Sequence, residues 1–387
     1  MENNIIAKGV KYIGVDDLDL DLFEGQYAIP QGVSYNSYLI DDDKITIMDT
    51  VDERKTEEWL ERLEAELAGR KPSYLVISHL EPDHASNVKR IMDMFPECVA
   101  LCSAKAVPML TRFFGTNFGD RVKVVKEGDT ISTGEHTLQF FMAPMVHWPE
   151  VMVTYEQSQK ILFAADGFGK FGAFGVGGDW ACEARRYYFN ICGKYGASVQ
   201  ALLKKASGLD IAIICPLHGP VLHENLAYYI NLYNTWSKYE AESKGVFVAY
   251  CSLHGNTEAA ALKLAEILQN TYGEKVVATD LRRCDMSEAI EDAFRYDRLV
   301  LAAPTYDAGV MPVMEDFINH LKAKAYQNRK VGFIENGSWA PVAGKKMREA
   351  MEAMKNMTII EPVVTVESAM TEKTVENLKV LAAALKD

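Results

Sequence analysis

Residues 74–84 read YLVISHLEPDH, an apolar run that passes directly into a polar loop. The residues Tyr74–Ser78 have the length and composition of a buried strand. The loop after them carries four side chains able to bind a metal ion within six residues: His79, Glu81, Asp83 and His84. Because a strand end is a rigid base, a tight turn there can aim alternate side chains at one point. The stretch therefore predicts a metal site at the end of a strand, against the alternative of a solvated loop.

Three more candidate ligands lie at the ends of later strand-like runs or in the loops after them: His147, Asp166 and His218. Imidazole suits iron, zinc and manganese, whereas carboxylate oxygens favour harder ions. The resulting three histidines and three carboxylates are too many ligands for one tetrahedral zinc, but they suit two ions that share a bridging carboxylate. Two alternatives stay open. His223 could replace His218 as the last ligand, and Asp166 could merely cap the turn after its strand.

Composition is typical of a globular protein rather than of a disordered or fibrous one. The chain has 387 residues, with 41 Lys+Arg against 54 Asp+Glu and a net charge of −13. This acidity argues against binding to nucleic acid and against docking on an anionic membrane. No apolar run approaches the ~20 residues that a membrane-spanning helix needs, and no signal peptide is recognisable. We expect a soluble, cytoplasmic protein with no nucleic-acid or membrane partner.

The pattern of the chain changes near residue 245. Before that point strand-like and helical runs alternate, including helical patterns at Glu57–Ala68 and at about Glu183–Ser207. After it, five apolar strands alternate with helices: VFVAYC, KVVATDL, DRLVLAAP, KVGFIE and TIIEPVVTV. Such regular alternation predicts a doubly wound parallel sheet. We therefore expect two domains, residues 1–245 and residues 246–387.

The second domain opens with a polar loop between its first strand and helix, formed by Ser252, Leu253, His254, Gly255, Asn256 and Thr257. Small and hydroxyl residues there allow backbone N–H groups to surround a phosphate dianion. Neither G-K-[ST] nor G-x-G-x-x-G is present, which argues against a P-loop and against a dinucleotide site. The alternative is an ordinary helix cap, since caps favour the same residues.

Two further loops follow the third and fourth strands of this domain, at the edge where open α/β sheets bind ligands. They are formed by Pro304, Thr305, Tyr306, Asp307, Ala308 and Gly309, and by Asn336, Gly337, Ser338 and Trp339. Tyr306 and Trp339 could sandwich a flat ring, although an aromatic residue taken alone is more often plain packing. Together with the polar loop, these residues resemble flavodoxin, whose ligand is flavin mononucleotide (FMN).

The motif H-x-E-x-D-H, followed by distant His, Asp and His, resembles the metal site of flavodiiron proteins (A-type flavoproteins). Hydrolases of the same metallo-β-lactamase-like fold usually show H-x-H-x-D-H, so Glu81 stands where their second His would be. A carboxylate there shifts the site toward iron and away from zinc. The resemblance covers nearly the whole chain. It implies an α/β protein in which a metallo-β-lactamase-like αββα sandwich is followed by a flavodoxin-like doubly wound parallel sheet.

The resemblance also implies which residues hold two iron ions. His79, Glu81 and His147 would hold one iron, Asp83 and His218 would hold the other, and Asp166 would bridge them. The segment Pro216–Gly219 resembles the family's Pro-x-His-Gly, which favours His218 over His223. His84 varies in the family between a ligand and a nearby non-ligand, so its role stays open. Many members have a His near the metals where this chain has Glu24.

The activity implied is reduction of dioxygen to water, of nitric oxide to nitrous oxide, or of both, with FMN relaying electrons to the irons. The family pattern implies a head-to-tail homodimer or a dimer of such dimers. The seven cysteines include no C-x-x-C pair, so we expect a separate electron donor, either a rubredoxin-like protein or a reduced soluble cofactor. The main alternative is a zinc hydrolase of the metallo-β-lactamase fold fused to a flavodoxin-type redox module.

Overall fold

The computed structural model describes residues 4–386, so residues 1–3 and 387 of the two expected domains lie outside it. The chain forms two compact units. The N-terminal unit comprises the chain up to Tyr188 together with Ala197–Asn234, and the C-terminal unit comprises Phe189–Gly196 together with the chain from Thr235. The single boundary near residue 245 remains a proposal about where the second domain begins in the sequence.

The N-terminal unit is built largely from short strands. They are β1 Ile5–Ala7, β2 Val10–Tyr12, β3 Val15–Asp17, β4 Leu22–Phe23, β5 Tyr27–Ala28, β6 Val33–Tyr35, β7 Tyr38–Ile40, β8 Thr46–Met48, β9 Tyr74–Val76, β10 Val99–Ser103, β11 Val122–Val125, β12 Thr130–Ser132, β13 Thr137–Met142, β14 Met152–Glu156, β15 Ile161–Phe163 and β16 Ile213–Cys215. One sheet has the order β1-β2-β7-β8-β9-β10-β11, and a second has the order β12-β13-β14-β15-β16. Small two-stranded sheets pair β3 with β6 and β4 with β5.

The two large sheets of this unit share one hydrophobic core. Met48 and Val76 of the first sheet belong to the same buried cluster as Phe140 and Met152 of the second. The helices are α1 Thr56–Leu67, α2 Pro82–Ala85, α3 Val88–Met94, α4 Ala106–Phe114, α5 Trp180–Ile191, α6 Gly196–Ala206 and α7 Leu226–Ser237. Each of the last three helices contains a point at which the chain passes from one unit to the other. Two sheets packed face to face are the centre of the expected αββα sandwich.

The expectation of one helix over about residues 183–207 is wrong. Helix α5 ends at Ile191, a 3-10 turn spans Gly193–Tyr195, and α6 begins at Gly196. A Cβ atom on Gly196 would lie 2.3 Å from the carbonyl oxygen of Ser237, so the chain passes there at a distance that only glycine allows. Apolar periodicity does not report such an approach, because it depends on a segment about forty residues away.

The C-terminal unit is a mainly parallel sheet with helices between its strands, whereas the two-residue strand Gly309–Val310 pairs antiparallel with its neighbour. The strands are β17 Ser243–Tyr250, β18 Val276–Asp280, β19 Tyr296–Tyr306, β20 Gly309–Val310, β21 Lys330–Asn336, β22 Thr358–Ile359 and β23 Val364–Val366; the helices are α8 Asn256–Tyr272, α9 Met286–Arg295, α10 Pro312–Ala323, α11 Ala343–Glu352 and α12 Glu372–Leu385. The order β18-β17-β19-β21, with β22 and β23 both parallel to β21, confirms the doubly wound prediction. The fifth expected strand is split at Pro362, which has no N–H to donate to a ladder.

The short segment Phe189–Gly196 is part of the C-terminal unit's core. The Phe189 ring is fully buried and stacks on Phe294 of α9 with ring centroids 4.0 Å apart. Asn190 adds a hydrogen bond from its side-chain amide to the Ser287 carbonyl oxygen at 3.1 Å.

Among residues 4–386, no helix combines the length and the apolar composition that crossing a membrane requires.

Replacing Phe189 with Ala should loosen α9, because truncating a buried Phe costs about 3–5 kcal/mol. We expect amide hydrogen exchange in Met286–Arg295 to accelerate by about a hundredfold or more, while β13 keeps its protection. Phe113→Ala is the matched control, since that ring is 45% exposed. Equal exchange in α9 of both variants would contradict this packing role.

Candidate metal centre and ligand cavity

Four strand ends supply the candidate ligands of the N-terminal unit. The chain leaves β9 and turns into α2, whose first residue, Pro82, has the fixed φ that favours a helix start. His147 lies in the loop between β13 and β14. Asp166 and His218 follow β15 and β16, which are parallel neighbours and so end at the same edge of the sheet. The candidate ligands therefore all follow strands of the two large sheets.

His79, Glu81 and His147 converge on one point. The Nε2 atoms of the two histidines are 3.3 Å apart, and each lies near Glu81 Oε2, at 3.2 Å for His79 and 3.0 Å for His147. Two ligand atoms that each lie about 2.1 Å from one ion are roughly 3.0–3.4 Å apart at tetrahedral or octahedral angles. The spacing of these three atoms thus fits a single ion between them.

A second group consists of Asp83, His84 and His218. The Nε2 atoms of the two histidines are 3.0 Å apart, and Asp83 Oδ2 lies 3.3 Å from His84 and 3.2 Å from His218. The sequence left the role of His84 open, and the structure brings its ring into this group. His223 is exposed and instead lines a separate cavity with Tyr12.

Asp166 lies between the two groups. Its Oδ2 atom is 3.4 Å from His79 Nε2 and 3.1 Å from His147 Nε2, while its Oδ1 atom is 3.3 Å from His84 Nε2. The residue is buried, and neither oxygen receives a well-formed hydrogen bond from the described residues. A buried carboxylate without donors is costly unless a cation compensates it. One oxygen facing each group is the orientation of a carboxylate that bridges two cations.

The rings of two histidines are held by hydrogen bonds from Nδ1 to groups that the sequence did not reveal. His79 Nδ1 donates to Glu150 Oε1 at 2.8 Å, and His218 Nδ1 donates to the Ser34 carbonyl oxygen at 2.8 Å. Glu150 Oε1 also accepts from Leu80 N–H at 3.0 Å. A proton on Nδ1 leaves the Nε2 lone pair free for a metal ion. These contacts set both ring orientation and tautomer.

The electrostatics favour a cation in this pocket. Burial lowers the pKa of His79, but the carboxylates of Asp166 and Glu150 more than reverse this and hold it well above its usual value. The pKa of His147 is about 9, because contacts with Asp166 and Glu81 outweigh burial. Burial raises the pKa of Asp166, yet the neighbouring His79 and His147 bring it well below its usual value. The pocket therefore favours positive charge beside Asp166, carried either by protons on the histidines or by a metal ion.

A cavity of about 260 Å³ opens beside the two groups and is lined by Glu81 and Asp83 on its inner side. Glu24 lines it from the three-residue turn between β4 and β5, where Glu24 and Gly25 both have positive φ. Burial by the surrounding protein and repulsion from Glu81 raise the pKa of Glu24 to about 7. The Phe23 ring lies edge-on to the His218 ring at 5.3 Å. The cavity is large enough for small molecules only.

The predicted loops of the C-terminal unit enclose a separate cavity of about 580 Å³. Among the predicted residues, those that line it are Ser252, Leu253, His254, Asn256, Thr257, Pro304, Thr305, Asp307, Ala308, Asn336, Gly337, Ser338 and Trp339. Gly255, Tyr306 and Gly309 do not line it. Ala340 and Ser368 line it but were not predicted. Ser368 follows β23, so the same strand-end rule applied to the fifth strand would have found it.

The loop Ser252–Thr257, here called the phosphate loop, carries unused donors. Within residues 4–386, the backbone N–H groups of Leu253, His254, Asn256 and Thr257 have no protein acceptor. Unpaired N–H groups at a helix start form an anion site. The Trp339 side chain is 82% exposed at the cavity. Thr305 Oγ1 is engaged, since it accepts from Val342 N–H and Ala343 N–H at 2.9 and 3.1 Å and caps α11.

Comparisons with known proteins follow the same division of the chain. Residues 33–219 match the family model described as ODP family beta lactamase, and residues 247–362 match the model of a flavodoxin domain. A nitric oxide reductase of Moorella thermoacetica is 30% identical over 373 residues, which cover 94% of this chain and 92% of that protein.

Solved structures agree with these matches. The rubredoxin oxygen:oxidoreductase from Desulfovibrio gigas superposes with a TM-score of 0.91 at 26% identity, covering 98% of this chain and 97% of that one. The flavodiiron protein from Giardia intestinalis superposes with a TM-score of 0.89 at 26% identity, covering 98% and 95%. The chain belongs to the flavodiiron proteins. This confirms the expected order of a metallo-β-lactamase-like fold and a flavodoxin-like fold.

As a flavodiiron protein the chain is an oxidoreductase. Its seven candidate ligands come together as two groups around Asp166. The contributions that sequence reasoning missed are Glu150 and the Ser34 carbonyl. Glu150 lies 71 residues from the histidine it contacts, and a backbone carbonyl has no residue type to recognise, so neither gave a local signal.

Metal binding by the chelator-stripped flavodiiron protein should strengthen as pH rises from 7 to 9. A metal ion must displace the proton on His147, whose pKa is about 9, whereas an ordinary histidine with a pKa near 6.5 would already be neutral at pH 7. Zinc, which is redox-inert, serves as the probe, with a chelator of known affinity as competitor. A zinc affinity that stays constant above pH 7 would contradict this assignment.

Glu150→Gln should weaken metal binding by about ten- to a hundredfold, the usual effect of losing a carboxylate behind a ligand histidine. The amide oxygen can still accept from Leu80 N–H, so the loop should keep its shape. The exposed Glu127→Gln, which leaves the pocket intact, is the control. Equal zinc affinities of the two variants would show that Glu150 does not support His79.

Proposed function

We propose that this flavodiiron protein reduces dioxygen to water, nitric oxide to nitrous oxide, or both, at two iron ions that receive electrons from FMN. The observation that carries the proposal is Asp166, which presents one oxygen to each group of ligands. The irons would be held by His79, Glu81 and His147 on one side and by Asp83, His84 and His218 on the other.

The donor set supports iron rather than zinc. Glu81 supplies a carboxylate oxygen between His79 and His147, at the position where hydrolases of this fold usually have an imidazole. Four histidines and three carboxylates around two ions form a mixed nitrogen and oxygen set that suits non-haem iron. Zinc sites prefer fewer ligands in a tetrahedral arrangement.

The cavity of the C-terminal unit supports FMN as the second cofactor. Free N–H groups of the phosphate loop suit its phosphate dianion. The exposed Trp339 offers a face for a flat ring, while Tyr306, which is 43% exposed, does not line the cavity. Of the two expected stacking contacts with the flavin, the one with Trp339 is therefore better supported than the one with Tyr306.

The electron balance links the two sites. Reducing one dioxygen to two waters takes four electrons and four protons, and coupling two nitric oxides to nitrous oxide and water takes two of each. Two ferrous ions and one reduced flavin can together hold four electrons, which is the chemistry the cofactors supply when bound. The protein's own part is to position the ligands, to limit access through the small cavity beside Glu81, and to keep Glu24 in the lining of that cavity.

We further propose that a rubredoxin-type protein is the electron donor and that two chains associate head to tail, so that the flavin of one faces the irons of the other. The Desulfovibrio gigas relative is named rubredoxin oxygen:oxidoreductase, and this name supports rubredoxin as the donor. The net charge of −13 would favour a donor surface carrying complementary positive charge.

The decisive experiment is anaerobic reduction of the purified protein followed by separate rapid mixing with dioxygen and with nitric oxide. We expect rapid reoxidation of the flavin by at least one gas, and the ratio of the two rates identifies the working substrate. His79→Ala should keep FMN but lose iron and reoxidise slowly, whereas the exposed His223→Ala should behave as wild type.

Two results would contradict the proposal. One is a protein that contains two zinc ions, hydrolyses esters or thioesters and reacts with neither gas, which is the behaviour of the fused hydrolase. The other is His79→Ala losing FMN while keeping iron, because His79 and the flavin cavity belong to different units.

A further inference from the structure

Arg282 holds the first residue of the phosphate loop from outside the cavity. Its Nη1 donates to the Ser252 carbonyl oxygen. Its Nε and Nη2 donate to the two oxygens of Asp280 at 2.8 and 2.6 Å, a fork-to-fork pairing. Asp280 is the last residue of β18, so the guanidinium is fixed to the sheet. Arg282 itself does not line the cavity.

This contact decides where a neighbouring donor points. A trans peptide is planar, so its carbonyl and its N–H point in opposite directions. With the Ser252 carbonyl turned toward Arg282, the Leu253 N–H points the other way, and both residues line the cavity. The Ser252 hydroxyl completes the arrangement by accepting from Gly255 N–H at 3.0 Å.

We propose that Arg282 is a positioning residue for the FMN phosphate, because it keeps the Ser252 carbonyl out of the cavity and the Leu253 N–H directed into it. The inference rests on the proposed FMN site. Released from Arg282, the peptide could rotate and present its carbonyl dipole to the phosphate, which would replace an attractive contact with a repulsive one.

The alternative is that Arg282 attracts the phosphate by its charge alone. The surrounding charges oppose this reading. Nη2 lies 2.6 Å from Asp280 Oδ2 and 3.4 Å from Glu258 Oε2, so the three groups together carry a net negative charge. The two readings predict opposite results for Asp280→Asn. Loss of positioning would weaken FMN binding, whereas removal of a negative charge would strengthen it.

The test measures binding of FMN and of riboflavin, which lacks the phosphate, to the flavin-free full chain by quenching of flavin fluorescence. Arg282→Ala should weaken FMN binding by about tenfold or more, the effect of losing a charge-assisted hydrogen bond, and should leave riboflavin binding nearly unchanged. Asp280→Asn should also weaken FMN binding. Arg283→Ala is the matched control, because its side chain is 81% exposed and lies 4.0 Å from Asp280.

The outcomes separate this inference from the proposed function. Tighter FMN binding by Asp280→Asn, equal losses for FMN and riboflavin, or no loss in Arg282→Ala would each overturn the positioning role while the FMN site stands. A wild-type chain that binds neither flavin would overturn the proposed function and this inference with it. Repeating the titration in high salt adds a second criterion, since a positioning effect should persist when charges are screened.

Discussion

The N-terminal unit depends on one buried carboxylate, that of Asp166, facing imidazoles on both sides. A carboxylate in such surroundings is stable only beside positive charge, which protons on the histidines or metal ions can provide. The unit meets this requirement by bringing strand ends of two sheets to one place. His79 follows a strand of the larger sheet, and Asp166 and His218 follow parallel neighbours of the smaller one. The packing between the two sheets is therefore what sets the distance between the ligands.

Much of this could be predicted from residue types because the chemistry is local. Four candidate ligands lie within the six residues His79–His84, and strand ends are visible as apolar runs. The parts that escaped prediction depend on contacts between distant segments. Glu150 contacts His79 although the two residues are 71 positions apart in the sequence. The position of His84 depends on how α2 turns toward His218, and periodicity alone does not reveal that.

The same distinction holds for the C-terminal unit. Alternation of strands and helices predicted its sheet and its ligand edge, and most predicted loop residues do line the cavity. The break at Gly196 and the inclusion of Phe189 in this unit's core were missed, because both come from packing against distant parts of the chain. The phosphate loop shows a further limit. Its donors are backbone N–H groups, and the direction of one of them, that of Leu253, depends on Arg282 about thirty residues later in the chain. Residue types report only that such a loop is possible.

A carboxylate that bridges two metal ions couples them magnetically, so the bridging role proposed for Asp166 can be tested on the ions themselves. Metal analysis combined with Mössbauer spectroscopy of the oxidised, iron-loaded protein tests it most directly. We expect two irons per chain whose spins are coupled, giving a diamagnetic ground state. One iron per chain, or two irons that behave as independent paramagnetic centres, would contradict it.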